Sequence, residues 1–558
     1  HLANQVESCT IRRMENKNIL YGPKPFYPVS DGTAGEEIFR ALKKYARIPG
    51  CIAMTNAHTK ENLLYEDVLT LTTRLAVAYK NYGLDINSTI AVCSENSLQF
   101  FLPVIAALYL GVTVASINDK YTERELLHNF EITKPSVVFC SKRAVKNIQT
   151  VKHRLTYINT VVILDDITDW QDFPCLNNFI LKFCDPNLNI GDFKPNSFDR
   201  DNQVALVMYS SGTTGVSKGV MITHKNIIAR FSHCKDPTFG NQINPTTVIL
   251  TVVPFQHSFG MFTSLGYMTC GFRIVVLTTF DEKLFLQSLQ DYKVASTLLV
   301  PTLMSLFAKS AIVENYDLSH LEEIASGGAP LSKQISDAVR KRFKLNQIRQ
   351  GYGLTETTSA VLITPDTGVI PGSTGKIVPF HAVKVVDTAT GENLGPNRTG
   401  ELYFKGDMIM KGYCNNAPAT DAIIDPNGWL RSGDIGYYDG NGNFFIVDRI
   451  KSLIKYKGFQ VAPAEIEAVL LQHPDILDAG VTGIKDDEAG EIPAAAIVIK
   501  KGAHLDEEDV KKYVESQMSS TRWLRGGVRF LDEIPKGPTG KIDGKAIREI
   551  FEKQKSKL

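Results

Sequence analysis

Val204-Ala205-Leu206-Val207-Met208-Tyr209-Ser210-Ser211-Gly212-Thr213-Thr214-Gly215-Val216-Ser217-Lys218-Gly219 is the stretch from which the rest of the chain can be read. A strand-like apolar run enters a loop of glycines and hydroxyl side chains, and a second apolar stretch containing His224 leaves it. Glycine lets the backbone approach a ligand closely, Ser and Thr add O–H donors to the N–H groups, and Lys218 brings a mobile positive charge. The loop therefore fits the phosphates of a nucleoside triphosphate. It is not the usual phosphate loop, which needs Gly-Lys followed by Ser or Thr. Here Ser217 precedes Lys218 and Gly219 follows it. A flexible Ser/Gly linker is the plainer alternative, but linkers do not normally join two strand-like runs.

Bulk properties narrow the class. A chain of 558 residues exceeds what one hydrophobic core usually supports, so two or more domains are expected. A hydrophobic content of 43% and a net charge of +1 describe an ordinary globular protein without the basic footprint of a nucleic-acid partner. No stretch approaches the roughly 18 uncharged apolar residues of a membrane span. The richest one, Phe100 to Ile117, carries Pro103 and Gly111 and reads as a buried helix followed by a strand. Nine cysteines lie without C-x-x-C spacing, which favours reduced intracellular thiols over disulfides or zinc. On that reading the sequons at Asn87 and Asn397 are chance matches. Met14 reads as a natural start, so residues 1–13 are taken as an extension. Ser556-Lys557-Leu558 matches the peroxisomal import tripeptide, implying an import receptor as partner and the peroxisome as location.

Short apolar runs alternate with amphipathic stretches over the first 390 or so residues, as expected of parallel sheets covered on both faces. Thr89–Cys93, Ser136–Cys140, Thr160–Leu164, Val248–Val252 and Arg273–Leu277 are such runs. After Pro371 the texture becomes turn-rich antiparallel β, with a strand at Gly400–Phe404 and another at Phe444–Val447. An abrupt charged junction, Asp448-Arg449-Ile450-Lys451, precedes a smaller α/β unit with a helix around Pro463–Gln472 and a strand at Ala494–Lys500. The boundary is set at 449–452.

Further segments fit nucleotide chemistry. Ser326-Gly327-Gly328-Ala329-Pro330 is a small-residue turn against which adenine could lie. Gln350-Gly351-Tyr352-Gly353-Leu354-Thr355-Glu356-Thr357 supplies an aromatic face, a hydroxyl for phosphate and, at Glu356, a carboxylate for Mg²⁺. Ser432-Gly433-Asp434 places a carboxylate where ribose hydroxyls could meet it. Together with Ser210-Ser211-Gly212-Thr213-Thr214-Gly215 and Lys218, in this order, these segments resemble the adenylate-forming superfamily, which includes acyl-CoA synthetases and beetle luciferases.

The resemblance implies an α/β fold. A large N-terminal adenylation domain (14–448) would combine parallel-rich αβαβα-type sheets with a β-barrel subdomain. A hinge at 449–452 would lead to a small, mobile α+β lid (453–558). Asp434 and Arg449 would hold the ribose. Lys541, at the end of a Gly/Pro-rich loop, would bridge a carboxylate and the α-phosphate. Lys455 would reach the site only after the lid rotates. ATP would be a co-substrate with Mg²⁺, and CoA stays open as an acceptor.

Met14 to Leu558 also resembles the firefly luciferases outside these motifs, for example at Cys93–Phe101 and Tyr456–Glu465. That likeness implies D-luciferin and O₂ as substrates. Arg230, His257, Phe259, Thr263, Glu323, Arg349, Gly353, Ser359 and Ala360 would line the luciferin site, with His257 near the adenylate. A cation and a serine suit a phenolate emitter better than a fatty-acyl tunnel. A long-chain fatty-acyl-CoA synthetase of the same lineage is the alternative, and an adenylate-binding protein without activity a third reading. The family pattern is broken at Tyr209, Ser217, Gln256 and Ser258.

Overall fold

The computed structural model describes residues 18–555, apart from 166–167, 211–216, 241–245, 330, 346, 367, 369, 458 and 538–540. Two large sheets form the body. In the nine-stranded sheet the order is Lys376–Ile377, Ala360–Ile363, Ile348–Gly353, Glu323–Gly327, Ser296–Leu299, Val248–Thr251, Arg273–Val276, Ile52–Asn56 and Asn62–Leu64. Its six middle strands, from Ile348–Gly353 to Ile52–Asn56, run parallel. The seven-stranded sheet has parallel Thr160–Ile163, Val137–Cys140, Thr89–Cys93, Thr113–Ile117 and Val204–Ser210, then antiparallel Lys218–Thr223 and Gly412–Tyr413. Short all-apolar strands suit this arrangement because helices cover both faces.

Every residue of the helix Phe101–Leu110 is buried, which explains why its sequence lacks a polar face. Pro103 falls in its first turn, where no intrahelical donor is lost. The strand Thr113–Ile117 follows, as expected.

Ile19–Tyr21, His381–Val386, Gly400–Gly406, Leu430–Tyr438 and Phe444–Arg449 form a five-stranded antiparallel sheet in that order. Its path of paired strands is open rather than a closed barrel among the described residues. The reason lies at Phe444, whose N–H donates to Gly375 O at 2.8 Å and so caps that edge from the nine-stranded sheet's side. The strand also runs through Asp448 and Arg449, which pair with Ile435 and Asp434. The charged junction expected to break it is thus the end of a strand.

Beyond it, Phe459–Val461, Ile454–Tyr456, Gly490–Ile499 and Ile476–Asp486 form a further sheet, which Val528–Phe530 joins in parallel. The helix Pro463–Leu470 has no side-chain cap of its own at Ala462. Asp448 supplies one from across the junction, accepting the Ala464 N–H at 3.1 Å. The Lys309 ammonium donates to the carbonyl of Ile476 and ties the two units a second time.

Glu467, on the same helix, accepts the Val481 N–H at 2.8 Å, and burial pushes its carboxyl from 4.5 up to about 8. Between those values the folded chain holds a proton that the unfolded chain has released. Stability should therefore fall as pH rises across this window, by at most about 1.4 kcal/mol per pH unit. Glu467→Gln is expected to flatten the dependence of the melting temperature on pH between 5 and 8. An unchanged slope would contradict this assignment.

Candidate active site

The C-terminal ends of the parallel strands face a cavity of about 630 Å³, the usual ligand crevice of open α/β sheets. Lys541, from the C-terminal unit, completes its wall. Of the residues singled out in the sequence, Ser210, Lys218, Arg230, His257, Phe259, Thr263, Glu323, Gly328, Arg349, Gln350, Gly351, Gly353, Thr355, Glu356, Ser359, Ala360, Arg449 and Lys541 line it. Ser211, Gly212, Thr213, Thr214 and Gly215 lie outside the described residues, as do Ser556, Lys557 and Leu558. Ala329 is exposed beside Gly328, and Lys455 is exposed on its strand, where its N–H donates to Glu491 Oε2 at 2.9 Å. Neither is part of the wall.

A first cluster of polar groups surrounds Asp434, which is 3% exposed behind the wall. Tyr352 Oη donates to Asp434 Oδ2 at 2.5 Å, and Arg449 Nε lies 3.1 Å from Oδ1. Tyr352 is thus turned to hold this carboxylate. Burial pushes Asp434 up more than Arg449 pulls it down. Lys541 is lowered by desolvation and by Arg449, against the opposing pull of Asp434 and Glu356. His257 is lowered to about 4 by burial and then by Lys541, so it is neutral near pH 7. Its Nε2 has no protein partner among the described residues.

The second cluster is built on Arg349. Its Nη1 pairs with Glu323 Oε2 at 3.1 Å and donates to Gly240 O, while Nη2 and Nε donate to Phe239 O and Thr364 O. Arg230 is 8% exposed, and its Nε has no protein partner among the described residues. An unpartnered buried donor at a cavity wall is costly unless a ligand meets it.

Both clusters share one strand and turn. A Cβ on Gly353 would stand 2.3 Å from Ser359 O, so only glycine allows this close return of the chain. Thr358 has φ 62°, in the left-handed region unusual for a β-branched residue, with its hydroxyl anchored on Met408 O at 2.7 Å. This tight turn sets Glu356 before it and Ser359 after it.

The phosphate-loop candidate lies inside an antiparallel hairpin, with Ser210 opposite Lys218. The two unusual residues beside it meet at one point. Tyr209 Oη donates to Asn129 O at 2.9 Å, and Ser217 Oγ donates to Asn129 Oδ1 at 2.6 Å. Asn129 is 1% exposed on the helix Glu123–Thr133 and so anchors both flanks of the loop. Asn129→Ala, which removes the Ser217 bond, is expected to raise the KM for ATP about fivefold. An unchanged KM would contradict the anchor.

The sequence reading missed Asn129, as it missed Tyr413 and Arg431, which line or brace this region. None sits in a motif with its own spacing, and only the pairing of distant strands brings them in. Arg431 pairs with Glu401 at 3.1 Å, and Glu401 also accepts the Gly433 N–H next to Asp434.

Residues 42–414 match the family described as AMP-binding enzyme, and residues 465–541 match the AMP-binding enzyme C-terminal domain. The chain is 70% identical to a luciferin 4-monooxygenase of Photuris pensylvanica, over 98% of this chain and 100% of that one. It is 57% identical to a luciferin 4-monooxygenase of Photinus pyralis, over 97% and 98%. A natural red-emitting luciferase from Phrixothrix hirtus is similar in structure, with 44% identity, a TM-score of 0.73, and coverage of 96% and 99%. With these family models and relatives matched end to end, the chain belongs to the AMP-binding enzymes and, within them, to the beetle luciferases of the adenylate-forming superfamily.

Proposed function

We propose that this chain is a luciferin 4-monooxygenase, which adenylates D-luciferin with ATP and oxidises the adenylate with O₂ to excited oxyluciferin, CO₂ and AMP. The observation that carries this reading is the double character of the cavity. One cluster (Asp434, Arg449, Lys541, Glu356, Lys218) suits a nucleotide. The other (Arg230, Arg349 with Glu323, and Ser359, against the Phe259 ring) suits a flat aromatic acid with a phenolate. A fatty-acyl chain would leave the buried Arg230 Nε unmet.

In the first step a luciferin carboxylate oxygen attacks the α-phosphorus and pyrophosphate leaves. Two anions must meet, so catalysis is electrostatic and positional. Lys541 bridges the carboxylate and α-phosphate, Lys218 meets the outgoing phosphates, and Asp434 with Arg449 holds the ribose. Glu356 is a single carboxylate beside the phosphate subsite, which fits a Mg²⁺ ion held mainly by phosphates and water. When bound, Mg²⁺ neutralises charge on the leaving pyrophosphate.

In the second step the C4 proton of the adenylate is lost, the carbanion adds O₂ to give a peroxide at C4, and the peroxide's terminal oxygen attacks the acyl carbon and expels AMP. The resulting dioxetanone expels CO₂ and leaves oxyluciferin excited. Lys455 faces outward here, so it serves this step after the C-terminal unit reorients about 449–452. Exclusion of bulk water when substrate fills the cavity would protect the adenylate from hydrolysis. The C-terminal tripeptide Ser556-Lys557-Leu558 supports delivery to the peroxisome by an import receptor; removal of these three residues from a fluorescent fusion should leave it in the cytosol.

The assay is purified protein with MgATP and either D-luciferin or a long-chain fatty acid plus CoA. Light from the first mixture is expected. Acyl-CoA from the second with no light from the first would move the assignment to the synthetase.

A further inference from the structure

Lys218 starts a strand of the seven-stranded sheet and Glu356 sits in the turn Thr355–Thr357 between two strands of the nine-stranded sheet, yet both contact one side chain. Tyr413 ends the two-residue strand Gly412–Tyr413, which pairs antiparallel with Val220 and Met221 just beyond Lys218. The Cys414 N–H donates to Gly219 O at 2.7 Å and fixes the register. That register lays the Tyr413 ring under the Lys218 ammonium, 4.9 Å from the ring centroid. The Tyr413 hydroxyl donates to Glu356 Oε1 at 2.8 Å. A second tie comes from the Met410 N–H, which donates to Glu356 O at 2.9 Å. Tyr413 is 7% exposed and lines the cavity.

We propose that Tyr413 is a positioning residue of the metal–triphosphate subsite. Its hydroxyl holds one oxygen of Glu356 so that the other is aimed at the divalent cation, and its ring holds Lys218 beside the phosphates. The proposal rests on the adenylating reading above. It has a physical basis in two different forces. A hydrogen bond to a carboxylate is directional and fixes a rotamer, while a ring face attracts an ammonium without fixing it and leaves it free to follow a departing phosphate.

Tyr413→Phe keeps the ring and removes the hydroxyl; Tyr413→Leu removes both. Binding of α,β-methylene-ATP is to be measured by calorimetry, with Mg²⁺ and with EDTA. Tyr413→Phe is expected to bind the Mg²⁺ complex roughly tenfold more weakly and the metal-free nucleotide as the wild type does. Tyr413→Leu should weaken both. Light from supplied luciferyl-adenylate should persist in both variants. Equal weakening of the two nucleotide forms by Tyr413→Phe, or no weakening, would overturn the proposal. So would a parallel loss of light from supplied adenylate, which would mark a general packing defect. If the luciferin reading itself is wrong, the wild type will bind nucleotide and stay dark.

Discussion

Lys541→Ala is expected to slow formation of luciferyl-adenylate by about 10²–10³-fold, the usual cost of losing one charge-stabilising donor. Light from supplied luciferyl-adenylate should stay close to that of the wild type. The asymmetry follows from where Lys541 stands. It is in the cavity wall, close enough to Arg449, Asp434 and Glu356 for each to shift its ionisation. That is where a carboxylate must approach a triphosphate, and a cation there lowers the barrier to the meeting of two anions. Once pyrophosphate has left, the repulsion is gone and the second step has no need of that charge. Pyrophosphate release in a single turnover, set beside light from supplied adenylate, reads the two steps separately. Equal loss of both would contradict the division of labour.

The second large effect is the mirror image. Lys455→Ala should leave pyrophosphate release intact and slow light from either substrate on the order of 10²-fold or more, as expected when a group that assists proton loss is removed. In this structure Lys455 is exposed on Ile454–Tyr456, outside the cavity, so its removal cannot disturb the adenylating arrangement. On the proposed reading its work begins only after the C-terminal unit turns. The contacts to be broken are visible: Asp448 capping Pro463–Leu470, Lys309 on Ile476, and Lys541 in the wall. A loss of pyrophosphate release in Lys455→Ala would remove the need for two arrangements.

Much of this architecture was legible because its signals are local. The strands Thr89–Cys93 and Val248–Thr251 are short apolar runs between helices, and the buried helix Phe101–Leu110 is an apolar stretch too long for a strand. The cavity residues were legible through the motif resemblance, which set eighteen of them around one space. What stayed hidden depends on pairing between distant segments. No pattern around Asn129 says that Tyr209 and Ser217 will both reach it. Nothing in Lys411-Gly412-Tyr413 says that this edge strand lands beside Lys218. Likewise the charge run at Asp448–Lys451 reads as a break, but cross-strand pairing with Ile435 and Asp434 carries the strand through Arg449. Tyr352 reads as a surface for a base, and the bond from its hydroxyl to Asp434 is a further contact that only the fold brings about.

The central claim is that one cavity carries out an oxygen-independent adenylation and then an oxygen-dependent oxidation. The most direct test is to mix the wild-type protein with MgATP and D-luciferin under nitrogen, measure pyrophosphate, then admit air and measure CO₂ and light. The account predicts pyrophosphate close to one equivalent per protein under nitrogen without light or CO₂, followed by both when O₂ enters. Light or CO₂ before air is admitted, or no pyrophosphate until then, would contradict it.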